Sequence, residues 1–372
     1  MKYLKTILLF LLVTTVLSAQ DYHTIELLPN ETETVENVDF YVSGIIDNRA
    51  YKNNIGIAQK GAFNRKVLSQ FSKEFDKELL DYLVTVFPKE ENKTPLVLRI
   101  NQLLILEKTG AFKETGKAIV NLDVLKKQGD TYVLLGSYTS KKEKNSMDVT
   151  RKHDDRIRAT LKDCLMKYND TDPSQIINKP ITLITQSKPV IFDEPIAKGF
   201  FVSFLELYNN QSFSDSTIQF KDNKHRTNKL FLKDREHKRA MYYAFSDGED
   251  IYLNASNYSG EKHFVKTKRV DDFLLFNDNF IHADDVGGMT LAFGVLGTLA
   301  SNKNTNVLLD LTSGQYHNIS ISKIKLLLKK EHPDLFKKYK GENNNTENVF
   351  EVFAELYKRS DRNFVNDIIK SE

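Results

Sequence analysis

Tryptophan is absent from the 372 residues, and cysteine occurs once, at Cys164. A lone cysteine excludes an intramolecular disulfide, a thiolate zinc site and a CxxC redox pair. It sits on an apolar helical stripe, which points to a buried thiol rather than a nucleophile. Without Trp, a carbohydrate platform would have to be built from Tyr, of which there are 16 beside 24 Phe. Also missing are HExxH, Gly-x-Ser-x-Gly, Gly-x-Gly-x-x-Gly, Walker and EF-hand patterns. Those spacings mark zinc proteases, serine hydrolases, dinucleotide and nucleotide sites, and calcium loops. An excess of one charge is missing too, since 53 Lys and Arg stand against 50 Asp and Glu. Such balance argues against a nucleic-acid binder, whose footprint is a strongly basic surface. No cofactor is expected.

What is present begins with Lys2 and Lys5, the apolar run Thr6 to Leu17, and Ser18-Ala19-Gln20. A charged start, an apolar stretch of that size and a small residue at the cut predict a secretory signal peptide, cleaved after Ala19. The run is short for about 30 Å of hydrocarbon, and no transmembrane segment is expected after cleavage. No cysteine stands at the cut, so the expectation is an exported protein, periplasmic or secreted, without a lipid anchor. Loss of the two lysines takes the net charge from +3 to +1. A mature chain of about 350 residues suits two domains.

Residues 20–37 read as a flexible arm. Val38 to Ile46 predicts a strand, followed by a polar loop from Asp47-Asn48-Arg49 to Ile55-Gly56. Phe63, Val67, Phe71, Phe75, Leu79, Leu83 and Phe87 recur every four residues, which predicts one amphipathic helix of about seven turns ended by Pro88. Leu96 to Glu107, Glu114 to Lys127 and Tyr132 to Ser140 alternate with a period of two and read as a meander. His153, Ile157, Leu161, Cys164, Leu165 and Tyr168 stripe a second helix. The expectation for residues 38–170 is an α+β domain, a β-α-β-β-β-α antiparallel sheet covered by helices.

The Asp47-x-Arg49 loop, the nearby Ile55-Gly56, the long helix and the meander resemble the small domains of bacterial envelope proteins, among them YajG-like lipoproteins and auxiliary components of lipid-trafficking ABC transporters. The likeness spans residues 38–168. It implies a non-catalytic role in envelope assembly or transport. Asp47 and Arg49 are candidate binding residues on that likeness; their plainer role is a local ion pair that shapes the loop.

Residues 171–198 hold Pro173, Pro180, Pro189 and Pro195 and read as a linker, in which Ile181 to Ile184 offers an edge strand. Residues 199–372 form the second expected domain, rich in β-hairpins, with a Gly-rich helix and C-terminal helices. It opens on Gly199-Phe200-Phe201, a strand that turns into a helix at Ser203, where Ser203 and Glu206 have the spacing of a capping box. Tyr242-Tyr243-Ala244-Phe245-Ser246-Asp247-Gly248 predicts a hairpin with an Asp-Gly turn. Leu309-Asp310-Leu311-Thr312-Ser313-Gly314 predicts another. These elements, with the glycine-rich stretch and the Pro333-Asp334-Leu335 helix start, resemble a family of exported bacterial proteins of unknown function over residues 199–358.

Lys221 to Arg239 carries eight Lys and Arg. Lys229, Lys233 and Arg235 are candidates for an anionic partner, against the plainer reading of a solvated hairpin. Residues 286–300 carry no charge and predict a helix of about 22 Å, short of a bilayer; a buried core helix is the expectation and membrane contact the alternative. His282, Asp284 and Asp285 offer metal ligands, with His263 as a further donor, but without a recognised ligand spacing no metal is expected. The function expected is a non-enzymatic envelope protein that binds or scaffolds an envelope protein or anionic component. The alternative is a hydrolase of an envelope polymer or lipid using His282, Asp284 and Asp285.

Overall fold

The computed structural model describes residues 22–29, 33–60, 65–109, 113–129, 131–146, 149–181, 191, 195–221, 228–233, 242–259, 261–280, 304–360 and 368. The fold is mixed α+β. In the first half β1 (His23–Ile25), β2 (Phe40–Asp47), β3 (Ile57–Lys60), β4 (Arg65–Phe71), α1 (Phe75–Val86), β5 (Thr94–Thr109), β6 (Glu114–Gln128), β7 (Thr131–Ser146), α2 (His153–Asn169) and β8 (Lys179–Ile181) follow in order.

The main sheet has the strand order β2-β5-β6-β7-β8. Alternation along β5 and β6 places Leu96, Leu98, Ile100, Val120, Leu122 and Val124 on one face. There they meet Leu79, Leu83 and Val86 of α1 and Ile157, Leu161 and Leu165 of α2. Cys164 lies in this core, and burial pushes its thiol up to about 12, far from a thiolate at neutral pH. On the opposite face Asp123 accepts from Arg99 Nε (2.8 Å), Asn101 Nδ2 (2.8 Å) and Ser137 Oγ (2.5 Å), a polar ladder across the meander.

Three expectations are corrected here and a fourth is met in part. The helix begins at Phe75 rather than in the sixties, because β4 pairs antiparallel with β3 and parallel with β1. Steps of four residues are also even, so Val67 and Phe71 fit one face of a strand as well as of a helix. The sheet is not wholly antiparallel: β2 runs parallel to β5, with a bulge between Val42 and Gly44. The β3–β4 hairpin and α1 form the crossover that a parallel pair requires. The arm is tied down from Tyr22 on, since Ile25, Leu27, Val35 and Val38 are buried and Leu27 N–H donates to Glu78 Oε1 at 2.6 Å. Within the linker, Lys179–Ile181 pairs with β7 as an edge strand that tolerates Pro180.

In the second half β9 (Gly199–Phe201), α3 (Phe204–Tyr208), β10 (Lys229–Leu230), β11 (Ala244–Ser246), β12 (Ile251–Asn254), β13 (Phe264–Lys266), β14 (Lys268–Val270), β15 (Phe273–Asn279), β16 (Asn304–Asp310), β17 (Tyr316–Ile319), α4 (Ile321–Glu331), α5 (Pro333–Tyr339) and α6 (Thr346–Ser360) follow. They build a five-stranded sheet, β10-β13-β12-β11-β9, and a four-stranded sheet, β14-β15-β16-β17. Alternate residues of β15 feed two cores. Leu274 and Phe276 face the five-stranded sheet, whereas Phe273 and Leu275 face α4, α5 and α6. The outer face of the five-stranded sheet is aromatic, with Phe200 in ring contact with Phe213, Phe220, Tyr242, Phe245 and Phe264.

Ser203 Oγ accepts from Glu206 N–H (3.3 Å), and the Glu206 carboxylate takes backbone hydrogen bonds from the Ser203 cap and, at 2.5 Å, from Val202 before it, closing the capping box. The Asp247-Gly248 turn forms with Gly248 at φ 101°, and Asp247 Oδ1 accepts from the N–H groups of Glu249 and Asp250. No described strand of one half pairs with a strand of the other. The halves meet through the 48–56 loop and α3. Tyr51 enters the core of Phe204, Tyr243 and Tyr316, and Leu205 packs near Val97, Leu125 and Tyr132. No helix of the described residues is long and apolar enough to cross a membrane. Residues 286–300 lie outside the described residues.

Candidate functional site

Strand alternation puts Asp278 on the same face of β15 as Leu274 and Phe276, so a carboxylate is carried into an apolar layer. It is 0% exposed. The five-stranded sheet supplies its partners. Lys229 Nζ on β10 donates to Oδ1 at 2.5 Å, while Tyr258 OH (2.6 Å) and His263 Nε2 (2.7 Å) meet Oδ2. Burial raises the Asp278 carboxyl, and the bonds from His263, Lys229 and Tyr258 more than reverse that, holding it at about 2. Tyr258 is pushed well above the usual phenol value by burial and by the Asp278 charge.

The other imidazole nitrogen, His263 Nδ1, lies 3.3 Å from Glu261 Oε2, and Asn279 Nδ2 donates to Glu261 Oε1 at 2.6 Å. Glu261, His263 and Asp278 are therefore close enough for one cation. The Lys229 ammonium already occupies the cation position on Asp278, and a divalent ion there would meet its repulsion. The donor set fits an internal ion network that joins two sheets better than a metal centre. Tyr258 extends it through ring contacts to Tyr316 (5.5 Å) and from Tyr316 to Tyr51 (6.0 Å).

A second buried cluster lies in the first half. Glu107 Oε1 is 2.6 Å from His153 Nε2, and its Oε2 accepts from Gln59 N–H (2.7 Å) and Thr150 Oγ1 (3.1 Å). Arg156 Nη1 lies 2.9 Å from His153 Nδ1 and its Nη2 donates to the Val149 carbonyl at 2.6 Å. Arginine only donates, so Nδ1 must accept and the proton sits on Nε2. Burial lowers the His153 pKa despite the Glu107 charge, in agreement with a neutral ring.

Of the residues singled out from sequence, Lys229 and His263 join the Asp278 cluster. Lys233 is held elsewhere, its N–H donating to the Gln219 carbonyl at 2.7 Å beside the antiparallel Phe220–Leu232 bridge. Asp47 and Arg49 form a two-pronged pair, Nε to Oδ1 and Nη2 to Oδ2, both 2.9 Å. Arg49 Nη1 also donates to the Asn54 carbonyl (2.8 Å), and the guanidinium lies 3.7 Å from the Phe75 ring centre. Burial raises the Asp47 carboxyl, but Arg49 outweighs this and lowers it. The pair shapes the loop that carries Tyr51 and Asn53 into the second half. Arg235, His282, Asp284 and Asp285 lie outside the described residues. Sequence reasoning missed Tyr258, Glu261 and Asp278; the available signal was a carboxylate in phase with Leu274 and Phe276.

On the surface, an open cleft of about 670 Å³ lies between Arg269-Val270-Asp271 and the α6 residues Phe350, Ala354, Tyr357, Lys358 and Arg359. The apolar face of helix α6 has a buried centre and a half-buried edge. Val349, Val352, Phe353 and Leu356 are fully buried, whereas Phe350, Ala354 and Tyr357 are half-buried along the cleft. Lys268 Nζ lies 5.0 Å from the Phe350 ring centre.

Residues 199–361 match a family of unknown function (DUF6563). That span contains the whole Asp278 cluster and the cleft, and begins at Gly199, where β9 opens. No curated protein and no solved structure matches the chain.

Proposed function

We propose that this is an exported, two-domain envelope protein that binds or scaffolds another component and performs no catalysis itself. The observation that carries the reading is the half-buried edge of the α6 apolar face, where Phe350, Ala354 and Tyr357 pack against the core on one side and line an open, cation-rimmed cleft on the other. An apolar face wider than the core covers leaves its edge at the surface, and such an edge suits a partner. The strongest ionisable cluster points the same way, because Lys229, Tyr258 and His263 are bonded to Asp278 in joining the sheets. In this reading the domains run from about residue 38 to 170 and from 199 onward, and the resemblance read from the Asp47-x-Arg49 loop and the meander favours an envelope role.

Mild crosslinking in the cells that make the protein, followed by capture of the tagged chain from the envelope fraction, tests this. A specific crosslinked species is expected. Recovery of the chain alone, or hydrolytic turnover by the purified protein that a His282→Ala change abolishes, would overturn the reading.

A further inference from the structure

Resting on the reading of the chain as a binding protein, we infer that the α6 cleft takes a segment of a partner protein in which an acidic residue neighbours a large apolar one. The lining supplies three cations, Arg269, Lys358 and Arg359, against one carboxylate, Asp271. Arg359 is already engaged by Asp334 (2.5 Å) and Glu355 (3.2 Å). Lys358 is exposed and has no ion pair among the described residues, so its ammonium is the group poised to answer an incoming carboxylate. Phe350, Ala354 and Tyr357 form the apolar floor beside it, and the small Ala354 leaves a recess between two rings.

Composition and shape decide the class of occupant. Tyr, Phe and Arg are the residues enriched where proteins meet. The cleft falls within the roughly 300–1,000 Å³ typical of binding sites, but such sites usually enclose most of a small ligand. This one stays open along one side, which leaves an acyl chain wet but suits a side chain presented by a partner's backbone. The acidic residue follows from the Lys358 ammonium, since Asp334 and Glu355 already answer Arg359.

The test uses the full chain against a displayed library of random twelve-residue peptides. Enriched peptides are expected to pair Asp or Glu with Phe, Leu, Ile or Tyr, and to bind more weakly at higher salt. Two variants locate the site. Lys358→Glu reverses the exposed charge, and Ala354→Phe fills the recess; each is expected to weaken those peptides at least tenfold. Lys358→Glu should leave the thermal midpoint nearly unchanged, so it decides alone if Ala354→Phe does not fold. Absence of enrichment over an unrelated protein, or equal binding to wild type and Lys358→Glu, would overturn the inference. So would binding to phosphatidylglycerol vesicles that competes with the peptides, which would assign the cleft to lipid. If the crosslinked partner survives Lys358→Glu while peptides show no preference, the binding function stands and this cleft is not its surface.

Discussion

Asn53 and Tyr316, 263 positions apart, are joined by two hydrogen bonds: Asn53 Nδ2 donates to the Tyr316 carbonyl at 2.6 Å, and Asn53 Oδ1 accepts from the Tyr316 N–H at 3.0 Å. Tyr316 lies on β17, the edge of the four-stranded sheet. The side-chain amide thus presents to that edge the donor and acceptor that a neighbouring strand would offer, and edges left open invite unwanted pairing. One loop residue of the first half both closes a sheet of the second and fixes the halves together.

Asn53→Ala should leave both backbone groups of Tyr316 without this partner and cost about 1–3 kcal/mol. Because the bond crosses between halves, urea unfolding followed by circular dichroism is expected to broaden toward two transitions. A single sharp transition at the wild-type midpoint would show that the amide fastens nothing.

Asp278→Asn should cost about 3 kcal/mol, since it leaves the Lys229 ammonium facing a neutral group. In the wild type, the carboxyl is held at about 2 when folded, below its free value. A lowered carboxylate contributes stability that is complete above the unfolded value of about 3.9 and is lost as pH falls through the folded one. The wild type should therefore weaken between about pH 4 and 2 more steeply than Asp278→Asn. Parallel slopes for the two proteins would count against the network.

His153 titrates with the opposite consequence for its charge. Its folded pKa is lowered by burial, while Glu107, Asp154 and Arg156 face it and His23 lies at a ring distance of 6.2 Å. Above the unfolded value of about 6.5 both states are neutral; below it the unfolded chain binds the proton first, so stability falls. His23 is lowered too, by burial and then by His153, and adds in the same direction. Melting temperatures from pH 7 to 5 should drop in the wild type and drop less in His153→Gln. An unchanged profile in the variant would exclude His153 as the source.

Gly56→Ala should prevent folding or cost more than about 3 kcal/mol, because an L side chain is strained at positive φ and has no room here. The residue sits at φ 125°, and a Cβ there would overlap the Ile105 carbonyl oxygen, which is backbone and cannot swing aside. Soluble yield and a proteolysis time course read this out, with Gly129→Ala as a control in an open turn where a Cβ meets nothing. Equal behaviour of the two variants would refute the close approach.

Local chemistry is legible in the residues themselves. The Ser203–Glu206 box, the Asp247-Gly248 turn and the α2 stripe each depend on residues within a turn or two of one another, where spacing translates directly into geometry. The strand at Arg65–Phe71 is not legible in this way, because a four-residue repeat satisfies both periods and only pairing with β1 and β3 decides between them. The parallel β2–β5 pair is hidden for a related reason: strand direction is set by what lies between the strands, and the hairpin there carries a helical repeat. The Asp278 cluster draws on β10, the turn after β12, the residue before β13 and β15, so no spacing announces it. Two expectations that concern function, the His282–Asp285 ligands and the 286–300 segment, fall outside the described residues.

The parallel strand has a consequence in time. Strands β5, β6 and β7 pair with neighbours along the chain, whereas β2 reaches β5 only after the β3–β4 hairpin and α1 have been laid down between them. Contacts between near neighbours form fastest, since little loop entropy is lost in closing them. The meander should acquire protection first in pulse-labelled hydrogen exchange, with Val120 to Val124 ahead of Phe40 to Asp47. Until β2 docks, the open side of β5 is an unpaired edge, and the newly made chain is at its most adhesive in that interval.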